Sequence, residues 1–237
     1  MGWDYGPEGQ DWPVNRGQVW RCGGHIFACG TLLELTYITA DLFYCDPPWN
    51  NAITSTFRNN ARYGAEAGLT WQAVYRGIIR LAAGRPLFVE GGERQADEVQ
   101  QMLGEQGGLI LRRWPITYSR GARPCVLHYA GPAIPAAYGD PSGMDDADTP
   151  AWAMGRASGA LVADLTAGRG ITSRCAQMTG WSSFNIELDS RRVSAALTRM
   201  ARLTGSEPHL VEPSSGLVPG WLAAGSETSS ESAPASG

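Results

Sequence analysis

The sequence predicts an α/β fold built on a mostly parallel sheet, and three observations support this prediction. The apolar run at residues 42–45 stops at two prolines, which is typical of a strand buried on both faces. Residues 161–203 alternate strand, helix, strand and helix, which is the order of a βαβ unit. Apolar residues of segment 71–82 recur at helical spacing directly after Thr70, a residue type that caps helices.

The remaining elements can be predicted in order along the chain. Two short apolar segments, residues 18–22 and 25–29, flank Gly23-Gly24, which is a strong signal for a β-hairpin. The other predictions are an irregular start (1–17), a long polar loop (50–69), strands at 86–89, 109–111, 125–129, 161–163 and 183–186, a loop at 131–149, and helices at 93–106, 152–157, 171–179 and 190–203.

The composition is that of a globular protein. Apolar residues make up 43% of the 237, and the net charge of −4 argues against a histone-like nucleic-acid binder. No apolar run has the length of a membrane span and the polar N-terminus is unlike a signal peptide, so we expect a cytoplasmic protein without membrane contact. The five dispersed cysteines are expected to be reduced core residues, and no metal site is predicted. We expect one domain over residues 1–204 and a disordered polar tail over residues 205–237.

The first candidate site is the sequence Asp46-Pro47-Pro48-Trp49, which ends the apolar run at residues 42–45. Open α/β sheets bind their ligands at the carboxyl ends of strands, and a carboxylate beside an aromatic ring suits a flat ring that carries an amino group. The alternative is a proline turn in which Trp49 only fills the core.

The second candidate site is the turn Asp164 to Gly170 between a strand and a helix. Gly168 and Gly170 permit close approach of a ligand to the backbone, and the N-terminus of the following helix offers free N–H groups. Glu187 ends the next strand, seventeen residues after Gly170, where a carboxylate can bind both hydroxyls of a ribose.

Arginines and polar residues predict a nucleic-acid contact surface. All 19 basic residues are arginine, and segment 112–123 carries four of them with interleaved aromatics. The alternative for this segment is a solvated hairpin. The candidate contacts are Asn50, Arg58, Arg62, Arg112, Arg113, Arg120 and Arg123.

Together these motifs resemble the β group of amino-methyltransferases that use S-adenosylmethionine (SAM). Asp46-Pro47-Pro48-Trp49 looks like their catalytic motif, and residues 164–170 look like their cofactor motif, with Thr166 where phenylalanine is usual. The preceding hairpin is also similar, although Cys29-Gly30 is followed by Thr31-Leu32 where the family has Asp-Ser. The resemblance covers about residues 16–203, with the catalytic motif before the cofactor motif.

The resemblance implies a Rossmann-like methyltransferase fold with helices on both faces of the sheet and a circularly permuted motif order. Asp46 and the Pro47 carbonyl would hold the exocyclic amine of a flipped base, with Trp49 stacked on its ring and Pro48 completing the motif. Asp rather than Ser at position 46 favours adenine N6 over cytosine N4. The implied cofactor-binding residues are Cys29, Gly30, Asp164, Thr166, Gly168, Gly170, Thr172, Glu187 and Asp189.

The function expected from the resemblance is methylation of adenine N6 in double-stranded DNA by a phage-borne or orphan enzyme. An RNA adenine methyltransferase and a catalytically silent SAM-fold protein that binds nucleic acid or a partner subunit are the alternatives. Only about 25 residues separate the arginine-rich strands from the cofactor strand, which is short for a target-recognition domain. Sequence recognition would then be short and degenerate, or another chain would supply it; a homodimer is also implied.

Overall fold

The computed structural model describes residues 12–60, 69–118, 121, 123–133 and 138–211, with side chains omitted for residues 56–60. Within these ranges the chain forms one nine-stranded sheet and six α-helices. The strands are β1 (Val19–Cys22), β2 (His25–Cys29), β3 (Leu42–Cys45), β4 (Leu87–Gly92), β5 (Ile110–Tyr118), β6 (Arg123–Gly131), β7 (Leu161–Asp164), β8 (Ser182–Glu187) and β9 (His209–Leu210). The helices are α1 (Asn51–Asn60), α2 (Trp71–Ala82), α3 (Ala96–Gly104), α4 (Thr149–Met154), α5 (Ile171–Thr179) and α6 (Ser190–Thr204).

The sheet has a parallel centre and antiparallel edges. Its strand order is β5-β6-β4-β3-β7-β8-β2-β1-β9. The four pairings between β4 and β2 in this order are parallel, and the four outer pairings are antiparallel. The prediction of a parallel sheet therefore holds for the five central strands. It fails at the edges, where antiparallel strands are added on both sides.

Helices cover both faces of the sheet, as predicted. Helices α2 and α3 bury one face together with Phe43 and Val89, whereas α4 and α5 bury the opposite face together with Tyr44 and Phe88. Neighbouring residues of β3 thus alternate between two cores, which explains why this strand is apolar throughout. Helix α6 packs on β1 and β2 in a third cluster around Phe27.

The helix predicted after Thr70 is confirmed. The Thr70 hydroxyl accepts a hydrogen bond from the Ala73 N–H, and the helix ends where Ala83 adopts a left-handed conformation (φ 48°) before Gly84 (φ 78°). The predicted helices at 93–106 and 152–157 exist with shifted bounds. A 3₁₀ turn precedes α3, and α4 begins beside Pro150, which is favoured in a first helical turn.

The long loop predicted over residues 50–69 is wrong for its first half. Residues Asn51–Asn60 form α1, and the Asn50 side chain caps it by accepting a hydrogen bond from the Ile53 N–H at 3.0 Å. The sequence did not predict this helix because it is rich in Asn, Ser and Thr, which are more common in caps and turns than in helix interiors. Residues 61–68, including Arg62, lie outside the described residues.

The arginine-rich segment 112–123 is a strand pair. Strands β5 and β6 pair continuously from Ile110–Gly131 to Tyr118–Arg123. Both strands are therefore longer than the predicted strands at 109–111 and 125–129. Trp114 and Ile116 alternate with more exposed residues, and Pro115 is tolerated because β5 is an edge strand. Residues 112–118 and Arg123 are therefore paired strand residues, whereas residues 119, 120 and 122 lie outside the described residues.

The predicted boundary at residue 204 lies short of the last strand. Strand β9 pairs with β1 through Trp20–Leu210 and Arg21–His209, so the first part of the expected tail belongs to the sheet. Residues 212–237 and 1–11 lie outside the described residues. Across the described part of the chain, every helix is too short or too polar to cross a membrane.

Candidate functional site

A cavity of about 580 Å³ opens at the carboxyl ends of the central parallel strands. Four neighbouring strands, in the order β4, β3, β7 and β8, each bring one acid to its wall: Glu90, Asp46, Asp164 and Glu187. The chain runs outward from β3 to β4 and returns at β7, so β3 and β7 form the switch point where open α/β sheets bind ligands. The two motifs predicted from the sequence therefore share one cavity.

Asp46 and Trp49 hold each other at the end of β3. The Trp49 indole N–H donates to Asp46 Oδ1 at 3.1 Å, and the Trp49 ring meets the Tyr118 ring edge-on, with 4.9 Å between centroids. Pro47 is buried and Pro48 is half-buried, and both belong to the cavity wall. Trp49 is thus fixed by two contacts, and Asp46 Oδ2 remains for a ligand.

Asp164 is held by the turn that follows β7. Its Oδ1 accepts from the Thr166 N–H at 3.0 Å, and its Oδ2 accepts from the Thr172 hydroxyl at 2.6 Å. Thr166 supports the carboxylate through its backbone N–H and lines the cavity.

Glu187 is held by two backbone groups. Its Oε2 accepts from the Gly168 N–H and its Oε1 from the Asp189 N–H, both at 2.8 Å. Each oxygen keeps a further lone pair. The carboxylate is therefore oriented before any ligand binds, with acceptors left for two hydroxyl groups.

The clustered acids have raised pKa values because they are buried and because they repel one another. Burial and the nearby Asp146 carboxylate raise the pKa of Asp46 to about 7, although the Trp49 hydrogen bond opposes this shift. Burial raises the pKa of Asp164 to about 6, and it also raises the pKa of Glu187. Such a site favours a cationic ligand, which would restore the ionised carboxylates. Over the described residues, no three His, Cys, Asp or Glu side chains are grouped to hold a metal ion.

The two glycines of the turn have different roles. Gly168 (φ 53°) lines the cavity, and a Cβ there would meet only the Thr166 carbonyl, 3.9 Å away, so its backbone is open to a ligand. Gly170 (φ 83°) lies outside the cavity lining, and a Cβ there would come within 3.1 Å of Ala196 Cβ on α6. Gly170 is thus needed to start α5 and to pack it against α6.

Other residues predicted for the cofactor occupy supporting positions. Gly30 lines the cavity, but the Cys29 side chain is buried with its sulfur 4.0 Å from the Leu188 carbonyl. Thr172 lines the cavity and positions Asp164. Asp189 does not line the cavity; its side chain caps α6 by accepting a hydrogen bond from the Arg191 N–H.

Among the described residues, the candidate nucleic-acid contacts do not form one surface. Arg112 and Arg113 are consecutive strand residues, so their side chains leave opposite faces of β5, and Arg113 forms a salt bridge with Asp97 on α3. Arg123 lines the cavity mouth beside the Trp49–Tyr118 pair. Asn50 caps α1, the Arg58 side chain is not described, and Arg62 and Arg120 lie outside the described residues.

Sequence reasoning missed several residues of the cavity wall. Glu90 ends the apolar run of β4 just before two glycines, as Asp46 ends that of β3 just before two prolines, so the position of this acid is a signal that could have identified it. Asp146 comes from a loop, and Arg192 from the first turn of α6, so neither carries a local signal. Tyr118 would have required the register of the β5–β6 hairpin.

Comparison with known proteins identifies the fold. The chain matches no family model and no curated protein sequence. It does match the crystal structure of TTHA0409 from Thermus thermophilus, described as a "putative DNA modification methylase", with a TM-score of 0.51 and 17% identity over 75% of this chain and 94% of that chain. The structure of TTHA0409 complexed with SAM matches with a TM-score of 0.51 and 16% identity over 75% of this chain and 95% of that chain. The chain therefore has the fold of TTHA0409, the Rossmann-like fold expected from the sequence.

Proposed function

We propose that this protein transfers a methyl group from SAM to the N6 amine of adenine in DNA, acting on a base flipped out of the duplex. The single observation that carries the proposal is the placement of both motifs around one cavity, with Asp46 on β3 next to Asp164 on β7. The shared fold with TTHA0409, which has been solved with SAM and carries the name of a DNA modification methylase, supports the cofactor and the substrate class.

The residues around β7 and β8 fit SAM. A cavity of about 580 Å³ is within the range of cofactor pockets. Glu187 would accept the two ribose hydroxyls, Asp164 would accept from the ammonium group of the methionine part, and Gly168 would lie against it. When bound, SAM supplies an electrophilic methyl group on a sulfonium. The raised pKa values of Asp164 and Glu187 fit this cationic ligand, because its charge favours their ionised forms.

The residues at the end of β3 fit an exocyclic amine. Asp46 Oδ2 and the Pro47 carbonyl would accept the two amine hydrogens, and the fixed Trp49 ring would stack on the base. Two acceptors on one amine draw its lone pair out of conjugation with the ring and align it for transfer. Catalysis would come mainly from this alignment.

Asp46 also bears on the choice of base and polymer. Asp at this position favours adenine over cytosine, by the pattern of the family that the sequence resembles. A base in a duplex must be flipped out of the stack to reach Trp49. Arg123 at the cavity mouth is placed to contact the phosphates of a flipped nucleotide.

A cytoplasmic location, a homodimer and a separate specificity partner remain parts of this proposal.

Incubation with labelled SAM and with DNA and RNA oligonucleotides, followed by nucleoside mass spectrometry, tests the function. We expect N6-methyladenine in DNA. Label on cytosine would contradict the choice of base, label on RNA alone would contradict the choice of polymer, and no label on either would contradict the activity.

The affinity for SAM should depend on pH through Asp164. Because the pKa of Asp164 is raised to about 6, its carboxyl group becomes neutral as the pH falls below that value and can no longer attract an ammonium group. We expect the dissociation constant to rise by up to about tenfold per pH unit below pH 6. Calorimetric titration between pH 5 and 8 measures this change.

The matched control is Asp164→Asn, which can still accept from the Thr166 N–H and donate to the Thr172 hydroxyl. This variant should bind SAM more weakly above pH 6 and lose most of the pH dependence. An unchanged pH profile in Asp164→Asn would show that another group controls binding.

A further inference from the structure

Glu90 is a buried acid in the cavity wall that neither predicted motif includes. Glu90 lies on the same face of β4 as Phe88, the face that packs with Tyr44. Because Cys45 pairs with Val89 in the parallel strands β3 and β4, the next residues, Asp46 and Glu90, lie side by side. Its side chain is only 2% exposed, although the residue lines the cavity. Glu90 is thus next to the proposed amine-binding residue.

The two oxygens of the Glu90 carboxyl group differ in their hydrogen bonding. The Tyr44 hydroxyl donates to Glu90 Oε1 at 2.7 Å, and the Tyr75 hydroxyl donates to the Glu90 backbone carbonyl at 2.6 Å. Oε2 is buried and has no hydrogen-bond partner within the described part of the chain. Because a buried polar atom without a hydrogen-bond partner destabilises a protein, such an atom in a ligand cavity points to a partner that arrives with the ligand.

The surroundings of the Glu90 carboxyl group favour its neutral form. Burial and the Asp46 and Asp146 carboxylates raise the pKa of Glu90 well above its ordinary value. When the Tyr44 hydroxyl donates its single hydrogen to Oε1, the acidic proton lies on Oε2. Glu90 therefore presents a hydrogen-bond donor beside Asp46, which presents an acceptor.

We propose that Glu90 determines base specificity by donating a hydrogen bond from its Oε2 hydroxyl to the ring nitrogen adjacent to the target amine, which is N1 in adenine. The inference rests on the proposed function and deepens it. An amine beside an acceptor nitrogen is the edge that adenine and cytosine share, and it matches the acceptor–donor pair of Asp46 and Glu90. Guanine and thymine carry a carbonyl in place of the amine and an N–H in place of the acceptor nitrogen, so both would be rejected.

Three variants and two substrates test the role of Glu90. Glu90→Gln keeps an acceptor for Tyr44 and an N–H donor for the base, whereas Glu90→Met keeps the length of the side chain and removes both. Glu93→Met, an exposed glutamate three residues along, is the matched control. The substrates are an oligonucleotide that the wild type methylates and the same oligonucleotide with 1-deazaadenine, in which C–H replaces N1, at the target.

The measured quantity is the ratio of kcat/KM for adenine to that for 1-deazaadenine. We expect a ratio of about ten or more for the wild type, Glu90→Gln and Glu93→Met, and a ratio near one for Glu90→Met. A purely structural role of Glu90 would lower both rates in Glu90→Met and leave the ratio unchanged. Binding of SAM and the melting temperature show whether each variant is folded.

Two outcomes overturn the inference without touching the proposed function: a wild-type ratio near one, which needs no variant, or an unchanged ratio in Glu90→Met. Methylation of cytosine would instead contradict the proposed adenine specificity. The same comparison with 3-deazacytosine would then test Glu90, because N3 of cytosine is the equivalent acceptor. Absence of transfer to any base would contradict both.

Discussion

Replacement of Asp46 by alanine should abolish methyl transfer while leaving SAM binding intact. Asp46 ends β3, its Oδ1 accepts from the Trp49 indole, and its Oδ2 is left to accept from the amine. The substitution removes both the acceptor and the contact that orients the stacking ring. We expect kcat to fall by about 10³-fold or more, as when a preorganised polar group is removed from an active site. Single-turnover transfer of labelled methyl groups measures the loss.

Two control variants define what the Asp46 effect means. Asp97→Ala removes an exposed aspartate on α3 and should leave transfer unchanged. Asp46→Asn keeps a carbonyl for the Trp49 indole but turns an N–H donor toward the amine, so it should be nearly as inactive as Asp46→Ala. A loss of SAM affinity in Asp46→Ala as large as its loss of transfer would show that Asp46 faces the cofactor instead.

Replacement of Glu187 should do the reverse and weaken SAM binding first. Both oxygens of Glu187 accept backbone N–H groups, from Gly168 and Asp189, so even Glu187→Gln must turn an NH₂ group toward a backbone donor. We expect the dissociation constant for SAM to rise about tenfold to hundredfold in Glu187→Gln and at least as much in Glu187→Ala, as for lost hydrogen bonds to a charged group. Transfer at saturating SAM should change much less.

The comparison for Glu187 is Glu207→Ala, which removes an exposed glutamate after α6 and should bind SAM normally. Calorimetric titration gives the dissociation constants, and the rate at saturating SAM separates binding from transfer. Unchanged SAM affinity in Glu187→Ala would place the ribose elsewhere in the cavity.

The sequence predicted the central sheet and the two motifs well because their signals are local. An apolar run that stops at Pro47 and a glycine turn between β7 and α5 depend on neighbouring residues only, and both lie where predicted. Helix α5 begins and ends at the predicted residues, since Gly170 and Gly180 bound it with positive φ angles.

Features that depend on distant parts of the chain were harder to predict. The length of the β5–β6 hairpin follows from its pairing with β4, and β9 exists only because β1 offers it an edge. Arg113 could be assigned to DNA from composition, but its pairing with Asp97 requires knowing where α3 lies. Asp146 and Arg192 approach the cavity from elements far apart in sequence.

The most direct test of the central claim is methylation mapping of genomic DNA from cells that have no adenine methylation of their own. The mapping itself reveals the recognition sequence, so no target has to be chosen. With the wild-type protein we predict N6-methyladenine at a recurring short sequence, and with Asp46→Ala at the same expression level we predict none. Modified cytosine in place of adenine, no modified base, or equal modification by both proteins would contradict the account.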